Sequence, residues 1–255
     1  YQAYVEILKE ELIPAMGCTE PIALAYAAAK AREVLGVLPE SVQLQVSGSI
    51  IKNVKSVIVP NTGHLKGMEA AAAAGIIAGS AEKELEVIAE VSTDKQAAIR
   101  DYLQTVPISI EHIEQGHVFD IIVTERCGDA WAKVRIADFH TNICLIEKDG
   151  KVLYEKPLAD EAAQESSRAD RSLLNMKDIW EFAETADLRD VADLLERQIR
   201  YNNAIAEEGL LGDYGANIGR VLLSTYGNDV SNRAKAKAAA GSDARMNGCE
   251  LPVII

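Results

Sequence analysis

Two cysteines in this chain have neighbours that suit metal chemistry. Cys18 belongs to the segment GCTEP at 17–21, and Cys249 ends the segment GSDARMNGC at 241–249. Both lie among glycines and polar residues, which suits a metal-bound thiolate better than a thiol in an apolar core. We expect both cysteines to bind one cluster whose remaining ligands lie outside these 255 residues. The apolar run at 251–255 has no polar tail after it, which we interpret as a truncation.

Cys18 directly precedes a predicted helix that Thr19 or Glu20 can cap and whose first turn suits Pro21. The helix dipole and the free N–H groups of a helix start stabilise a thiolate, which predicts a pKa well below about 8.5. A lowered pKa suits a nucleophile or an iron ligand. The alternative is a small buried residue at the start of a helix.

Cys249 is predicted to lie on a tight loop after a helix, since an Asn-Gly pair precedes it and a proline soon follows. Ser242, Asp243 and Arg245 are expected in the same loop. Backbone N–H groups of such a loop and the planar fork of arginine suit a carboxylate. A surface loop with an incidental ion pair is the alternative.

A polar turn, PNTGHLKG at 60–67, lies between a β-rich run and a predicted helix. Helix N-termini bind anions, so Asn61, Thr62 and Gly63 could hold a substrate carboxylate. A plain capping turn is the alternative. The turn matches neither nucleotide-binding glycine motif, and Lys66 has only its residue type in favour of a pyridoxal phosphate linkage.

His140, Thr141 and Asn142 are predicted at the start of a strand. A histidine there can be a general base or donate a hydrogen bond to substrate, although a histidine at such a position is more often structural. Cys127, at a predicted hairpin turn, and Cys144, within a strand, are expected to be structural.

The composition excludes several classes of protein. A net charge of -13 repels phosphate backbones, so no nucleic-acid partner is expected. Four widely spaced cysteines do not form a disulfide framework. The first twelve residues are an amphipathic pattern and not a signal peptide, and the longest apolar run, 70–78, is too short for a bilayer. We expect a cytoplasmic protein without membrane contact.

Hydrophobic periodicity predicts an α+β fold, a helical domain built from both ends of the chain with an inserted, mainly antiparallel sheet-plus-helix domain. The predicted domains are 1–39, 40–158 and 159–255. Helices are predicted at 1–12, 19–35, 65–78, 93–103, 177–184, 188–208, 216–226 and 230–240. A strand is predicted at 42–46, β-rich residues at 57–59, and hairpins at 119–137 and 143–156.

Six segments in order resemble the L-cysteine desulfidase family, which is related to the alpha chain of iron–sulfur L-serine dehydratases. They are GCTEP at 17–21, PNTGHLKG at 60–67, HTNI at 140–143, DYGANIGRVLL at 213–223, YGNDVSNRAKA at 226–236 and AAGSDARMNGCELPV at 239–253. The likeness runs from about residue 10 to the last one.

The resemblance implies a [4Fe-4S] cluster held by three cysteines, of which two match Cys18 and Cys249. The third would fall beyond Ile255, so the chain is similar to roughly the first three-fifths of a family member. This departure puts a stable cluster and activity in doubt for these 255 residues alone.

The implied chemistry is elimination of sulfide from L-cysteine to give pyruvate, ammonia and hydrogen sulfide. L-Serine dehydration and a non-catalytic amino-acid-binding relative are the alternatives, and a pyridoxal phosphate lyase is a third. His140 is the first choice of base. Substrate partners are expected at Asn61, Thr62, Gly63, Thr141, Asn142, Ser242, Asp243 and Arg245. A homodimer through the apolar helices at 22–35 and 65–78 is also left open.

Overall fold

The computed structural model describes residues 1–158 and 169–254. Its helices are α1 Gln2–Glu11, α2 Thr19–Leu35, α3 Gly48–Val54, α4 Gly67–Ala78, α5 Thr93–Thr105, α6 Met176–Thr185, α7 Leu188–Leu211, α8 Ile218–Tyr226 and α9 Val230–Met246. Its strands are β1 Pro14–Met16, β2 Ser41–Val46, β3 Ile108–His112, β4 Asp120–Cys127, β5 Ala130–Ala137, β6 Ile143–Lys148, β7 Lys151–Glu155 and β8 Pro252–Ile254. The α+β prediction is confirmed.

Helix α2 is the centre of the core. It is apolar nearly all round, and it is buried against α4 and against strands β4 and β5. The approach to α4 is so close that a Cβ atom at Gly75 would lie 2.1 Å from the Ala25 carbonyl oxygen. The two apolar helices at 22–35 and 65–78 are therefore core elements within one chain. This placement removes the dimer interface that the sequence had left open for them.

A six-stranded sheet has the order β3-β2-β4-β5-β6-β7. Both predicted hairpins are present, and their turns use left-handed residues at Gly128, Asp149 and Gly150. Strand β3 was not predicted, and it pairs parallel with β2 while the other pairs are antiparallel. The β-rich residues 57–59 form only isolated bridges through Ile58.

The last quarter of the chain is helical, as predicted, with one difference. Helix α9 continues to Met246 instead of ending near residue 240. Small residues explain the continuation, because Gly241 packs on Ala206 of α7 and Gly209 of α7 packs on the Ala240 carbonyl. This close packing outweighs the low helix propensity of glycine. Ser242, Asp243 and Arg245 are therefore helical residues and not loop residues.

The two ends of the chain meet in a second, two-stranded sheet. Strand β1 pairs antiparallel with β8, so that Pro14 is opposite Ile254 and the backbone of residue 16 is opposite Pro252. Helix α1 also contacts α7, and the Tyr1 hydroxyl donates to Asp190 at 2.7 Å. The domain boundaries at 39 and 158 stay a prediction, and residues 159–168 of the third unit lie outside the described residues. No helix in the described residues combines the length and apolar character that a membrane crossing needs.

Candidate active site

The β1–β8 pair brings the two cysteines of the sequence motifs to the same end of a ribbon. Cys18 follows β1 by two residues and Cys249 precedes β8 by three, and the strands are antiparallel. Both side chains are buried, with exposed fractions of 5% for Cys18 and 3% for Cys249. Two thiols that are 231 positions apart in sequence (249 minus 18) therefore lie in one region of the fold.

A glycine next to each cysteine lets its loop approach the same segment. Gly17 has φ +70°, and a Cβ atom there would lie 2.6 Å from Pro60 Cγ. Gly248 has φ +87°, and a Cβ atom there would lie 2.6 Å from Ile58 Cγ2. Both positions need glycine for the left-handed backbone and for the close contact. The segment 57–60 thus holds the two cysteine loops together.

The thiol of Cys18 is held in its protonated form. Cys18 precedes α2 directly, as predicted, but the N-cap is Cys18 itself and not Thr19 or Glu20. The Sγ atom of Cys18 donates to Glu20 Oε2 at 3.0 Å. Burial and then this carboxylate raise the pKa of Cys18 to about 12, against a smaller opposite effect of Arg245. The predicted low pKa is wrong for the metal-free thiol, because burial and a neighbouring negative charge outweigh the helix dipole.

Glu20 is the central polar group of this region, and sequence reasoning considered it only as a helix cap. It accepts hydrogen bonds from Cys18 Sγ and from Asn53 Nδ2 of α3, both at 3.0 Å. Burial acts to raise its pKa, but the hydrogen bonds from Cys18, from the backbone and from Asn53 act against burial, and the pKa is lowered. Glu20 is therefore an ionised carboxylate between α2, α3 and the β5–β6 connection.

His140 lies in that β5–β6 connection, three residues before β6 begins. Its ring is edge-on to Phe119 at 4.5 Å between centroids, and its Nε2 atom is buried without a hydrogen-bond partner among the described residues. Burial lowers the pKa of His140, against the opposite effect of Glu20. A neutral imidazole near Glu20 has a free ring nitrogen that can accept a proton.

Helix α9 contributes the third side of the region. Its Arg245 has a buried Nε atom without a partner among the described residues, and the Gly17 loop approaches the Arg245 carbonyl. Asp243 Oδ2 instead accepts from the backbone N–H of Ile218 at 2.8 Å, which fixes the start of α8. Ser242 is exposed and, with Arg245, lines an open groove of about 390 Å³ beside β8. Arg245 thus lines this groove and is also close enough to Cys18 for its charge to act on the Cys18 thiol.

The sequence profile of the serine dehydratase alpha chain family matches residues 82–255. The chain belongs to this family. Among its relatives are UPF0597 proteins from Desulfitobacterium hafniense, 58% identical over 255 residues, and from Lachnoclostridium phytofermentans, 48% identical over 255 residues. A third, from Treponema denticola, is 41% identical over 259 residues.

All three alignments cover 100% of this chain and 59–60% of each relative. The chain therefore spans about three-fifths of the length of the curated family members it matches. No solved structure matches the chain.

The polar turn at 61–63 is held in place by its own hydrogen bonds to the neighbouring backbone and to helix α5. Asn61 Nδ2 donates to the carbonyls of Ile88 and Ala89, and the buried Thr62 hydroxyl donates to Val59 at 2.7 Å. The Gly63 carbonyl accepts from Arg100 of α5. These contacts give the turn a structural role, and its contact with substrate stays a prediction.

Thr141 and Asn142 lie next to His140 but line a different depression, at the edge of the sheet. Asn142 Nδ2 donates to the Ala137 carbonyl at 2.9 Å, and its Oδ1 accepts from Lys156 at 3.1 Å. The side chain of Asn142 therefore fixes the β5–β6 connection that carries His140. Binding of substrate by Thr141 and Asn142 stays a prediction.

Tyr214, which sequence reasoning passed over, accompanies Cys249. Its hydroxyl donates to Glu208 at 2.9 Å, and its pKa is raised by burial first, then by Glu208 and by Cys249. The backbone N–H of Cys249 donates to the Ala244 carbonyl at 3.0 Å, which ties the cysteine to the end of α9. The motif at 213–223, which contains Tyr214, was the only sequence signal for this residue.

The described residues contain few groups that could bind a metal, and the suitable ones are cysteine thiols. Within residues 1–158 and 169–254, no three His, Cys, Asp or Glu side chains are grouped so that they could hold a metal ion. The four cysteines are free thiols. Cys18 and Cys249 match the donor type that iron–sulfur clusters take, since these are held by cysteine thiolates. The two cysteines are chemically suited to bind an iron–sulfur cluster. A cluster would need at least one further ligand beside them.

Proposed function

We propose that this chain is the larger part of an iron–sulfur lyase that eliminates sulfide from L-cysteine, giving pyruvate, ammonia and hydrogen sulfide. The observation that carries the proposal is the convergence of two buried cysteines, Cys18 and Cys249, at one end of the β1–β8 ribbon. Membership of the serine dehydratase alpha chain family supports lyase chemistry on a small amino acid. Free cysteines are stable in a reducing compartment, so we place the protein in the cytoplasm.

Cys18 and Cys249 would hold a [4Fe-4S] cluster with a third cysteine from the two-fifths of the relatives' length that this chain does not span. When bound, such a cluster supplies an iron without a cysteine ligand, a Lewis acid that assists departure of a thiolate or hydroxyl. Both cysteines must lose their protons for this, so binding the cluster displaces the Cys18 proton from its bond to Glu20.

The remaining steps belong to the side chains of this chain. Arg245 offers a guanidinium to the substrate carboxylate, and its buried Nε has no other partner in the described structure. His140, neutral because burial lowers its pKa, takes the α-proton on Nε2. Loss of this proton and of the β-substituent leaves aminoacrylate. Water then converts aminoacrylate to pyruvate and ammonia.

Two alternative functions are distinguished from this one by the experiment described below. Dehydration of L-serine is favoured by the family's name, and it needs the same groups because the two substrates differ by one atom. A non-catalytic amino-acid-binding relative would keep the Arg245 groove and hold no cluster.

The deciding experiment uses the full-length gene product, purified and reconstituted without oxygen. Iron and acid-labile sulfide are measured first, and pyruvate and sulfide are measured after addition of L-cysteine or L-serine. We expect about four irons per chain and release of sulfide from L-cysteine. Pyruvate from L-serine alone would establish the dehydratase. No iron and no pyruvate would leave the binding protein.

Matched cysteine variants separate cluster ligation from a general effect on folding. Cys18→Ser and Cys249→Ser should each lose the iron and the visible absorption of the cluster. Cys127→Ser, at the β4–β5 hairpin, and Cys144→Ser, in β6, should keep both. Full iron content in Cys18→Ser would contradict the proposed ligand set.

A further inference from the structure

Strand β7 presents an apolar outer edge. It is the last strand of the sheet, and no strand of the described residues pairs with its outer side. Its three central residues are half-exposed, at 49% for Val152, 50% for Leu153 and 46% for Tyr154. An edge of this kind, with free N–H and C=O groups and apolar side chains, is a template for pairing with another chain.

The opposite edge of the same sheet is protected in the usual way. On strand β3 the exposed side chains are polar, Ser109, Glu111 and His112, and Glu111 accepts hydrogen bonds from Gln43 and Gln45 of the neighbouring strand. Charged and polar side chains at an edge discourage pairing with other chains. The two edges of one sheet therefore differ, and only the β7 edge is apolar.

The sequence of β7, KVLYE, is complementary to itself in the antiparallel direction. If two copies pair about a twofold axis at Leu153, Lys151 of each copy is opposite Glu155 of the other. Val152 is then opposite Tyr154, and Leu153 is opposite its own counterpart. Opposite charges and apolar pairs directly across two strands stabilise the pairing.

A depression beside β7 offers room for apolar side chains of a second copy. Its volume is about 310 Å³, and it is lined by Thr141, Asn142, Ile143, Ile146 and Tyr154. The apolar lining residues Ile143 and Ile146 pack on the main core on their inner side. The apolar face of the sheet thus continues to its edge, where nothing in the described residues covers it.

We propose that two copies of this chain associate through β7, edge to edge and antiparallel, so that their six-stranded sheets join. Twofold pairing is the commonest symmetry of homo-oligomers. This interface is independent of the proposed activity.

The test is the mass of the full-length protein by sedimentation velocity over a concentration series. A contact limited to one strand and its flanks is small, so we expect a dissociation constant on the order of micromolar. Leu153→Lys places two lysines opposite each other and should give a monomer throughout. The control is Val118→Lys, at a residue that is 83% exposed and outside β7, and it should dimerise like the parent.

Charge reversal tests the register of the pairing. Lys151→Glu and Glu155→Lys should each weaken the dimer roughly tenfold, because each change puts like charges opposite each other twice. The double variant Lys151→Glu/Glu155→Lys restores opposite charges and should recover the parent's dissociation constant. A structural effect of the substitutions would not be reversed in this way.

Three results would overturn the proposal. A monomer at all concentrations would show that the β7 edge does not mediate association. Slow amide hydrogen exchange of β7 in that monomer would show that another part of the same chain covers this edge. A dimer that Leu153→Lys leaves intact would place the interface elsewhere. Single and double charge variants with equal dissociation constants would exclude the register.

Discussion

The side-chain amide of Asn202 pairs with the backbone of Ile254 through two hydrogen bonds. Asn202 Nδ2 donates to the Ile254 carbonyl at 3.0 Å, and the Ile254 N–H donates to Asn202 Oδ1 at 2.8 Å. The amide thus stands in for a neighbouring strand and fixes β8 on helix α7. Because β8 is paired with β1, the same contact supports the position of both cysteine loops.

We expect Asn202→Ala to lower the free energy of unfolding by about 1–3 kcal/mol, since two hydrogen bonds are lost. The same variant of the full-length protein should lose iron faster to a chelator. Asn203→Ala is the control, because this neighbouring side chain is exposed and bonds to Glu207 and Lys237 at the surface. Equal iron loss in both variants would contradict a role of β8 in holding the site.

Gly17 is expected to tolerate no side chain. Gly17→Ala combines a left-handed backbone, at a cost of about 1–2 kcal/mol, with the contact to Pro60, which adds about 1–3 kcal/mol. Gly36→Ala is the matched control, because Gly36 has φ +86° and a Cβ atom there would meet nothing within 4 Å. The unfolding free energies of the two variants, measured with denaturant, should differ by the contact to Pro60.

His140→Gln tests the proposed base. The glutamine keeps a polar side chain and cannot take up the proton, so kcat should fall about a hundredfold or more, with a smaller change in KM. Iron content should be unchanged. His112→Gln, at an exposed position in β3, should leave kcat as it is. A fall in iron content that matches the fall in kcat would make His140 a structural residue.

Glu125 gives the protein a pH-dependent stability. Its side chain is fully buried in β4, and neither carboxylate oxygen has a partner among the described residues. Burial raises the pKa well above its usual value, against the opposite effect of Arg32. The folded state thus favours the protonated form, and its contribution is full below the unfolded pKa of about 4.3 and falls as the pH rises toward the folded pKa.

We therefore expect Glu125→Gln to be more stable than the parent at pH 8 and to lose this advantage by about pH 4. The measurement is chemical unfolding across this range. Between the two pKa values the difference should grow by up to about 1.4 kcal/mol per pH unit. Glu114→Gln, at an exposed position, should follow the parent. A constant difference at all pH values would show that Glu125 does not titrate.

Local signals in the sequence were sufficient for most of the elements. The apolar pattern of α2 and its glycine C-cap predicted the extent of the helix, because both depend on nearby positions, although the N-cap is Cys18 and not Thr19 or Glu20. Helix α9 was predicted too short, since the packing of Gly241 on Ala206 depends on a distant helix. Strands β1 and β8 have three residues each, too few for an alternating pattern.

The candidate site was predictable in its cysteines and not in its electrostatics. Motifs selected Cys18 and Cys249, but the bond from Cys18 to Glu20 depends on side-chain rotamers and burial. The pKa of Cys18 was therefore predicted in the wrong direction. Asn53 carried no motif, and the motif at 213–223 that contains Tyr214 gave this tyrosine no role. Only the folded chain shows that Asn53 contacts Glu20 and that Tyr214 accompanies Cys249.

The β1–β8 ribbon also determines when the site can form during folding. The sheet at 41–155 is built mainly from neighbouring segments and hairpins, which can pair soon after they leave the ribosome. Strand β1 must wait for β8, whose residues are synthesised more than two hundred positions later. The two cysteine loops therefore meet only after the strands of the sheet have been synthesised, and the nascent chain carries Cys18 without its partner loop while the sheet folds.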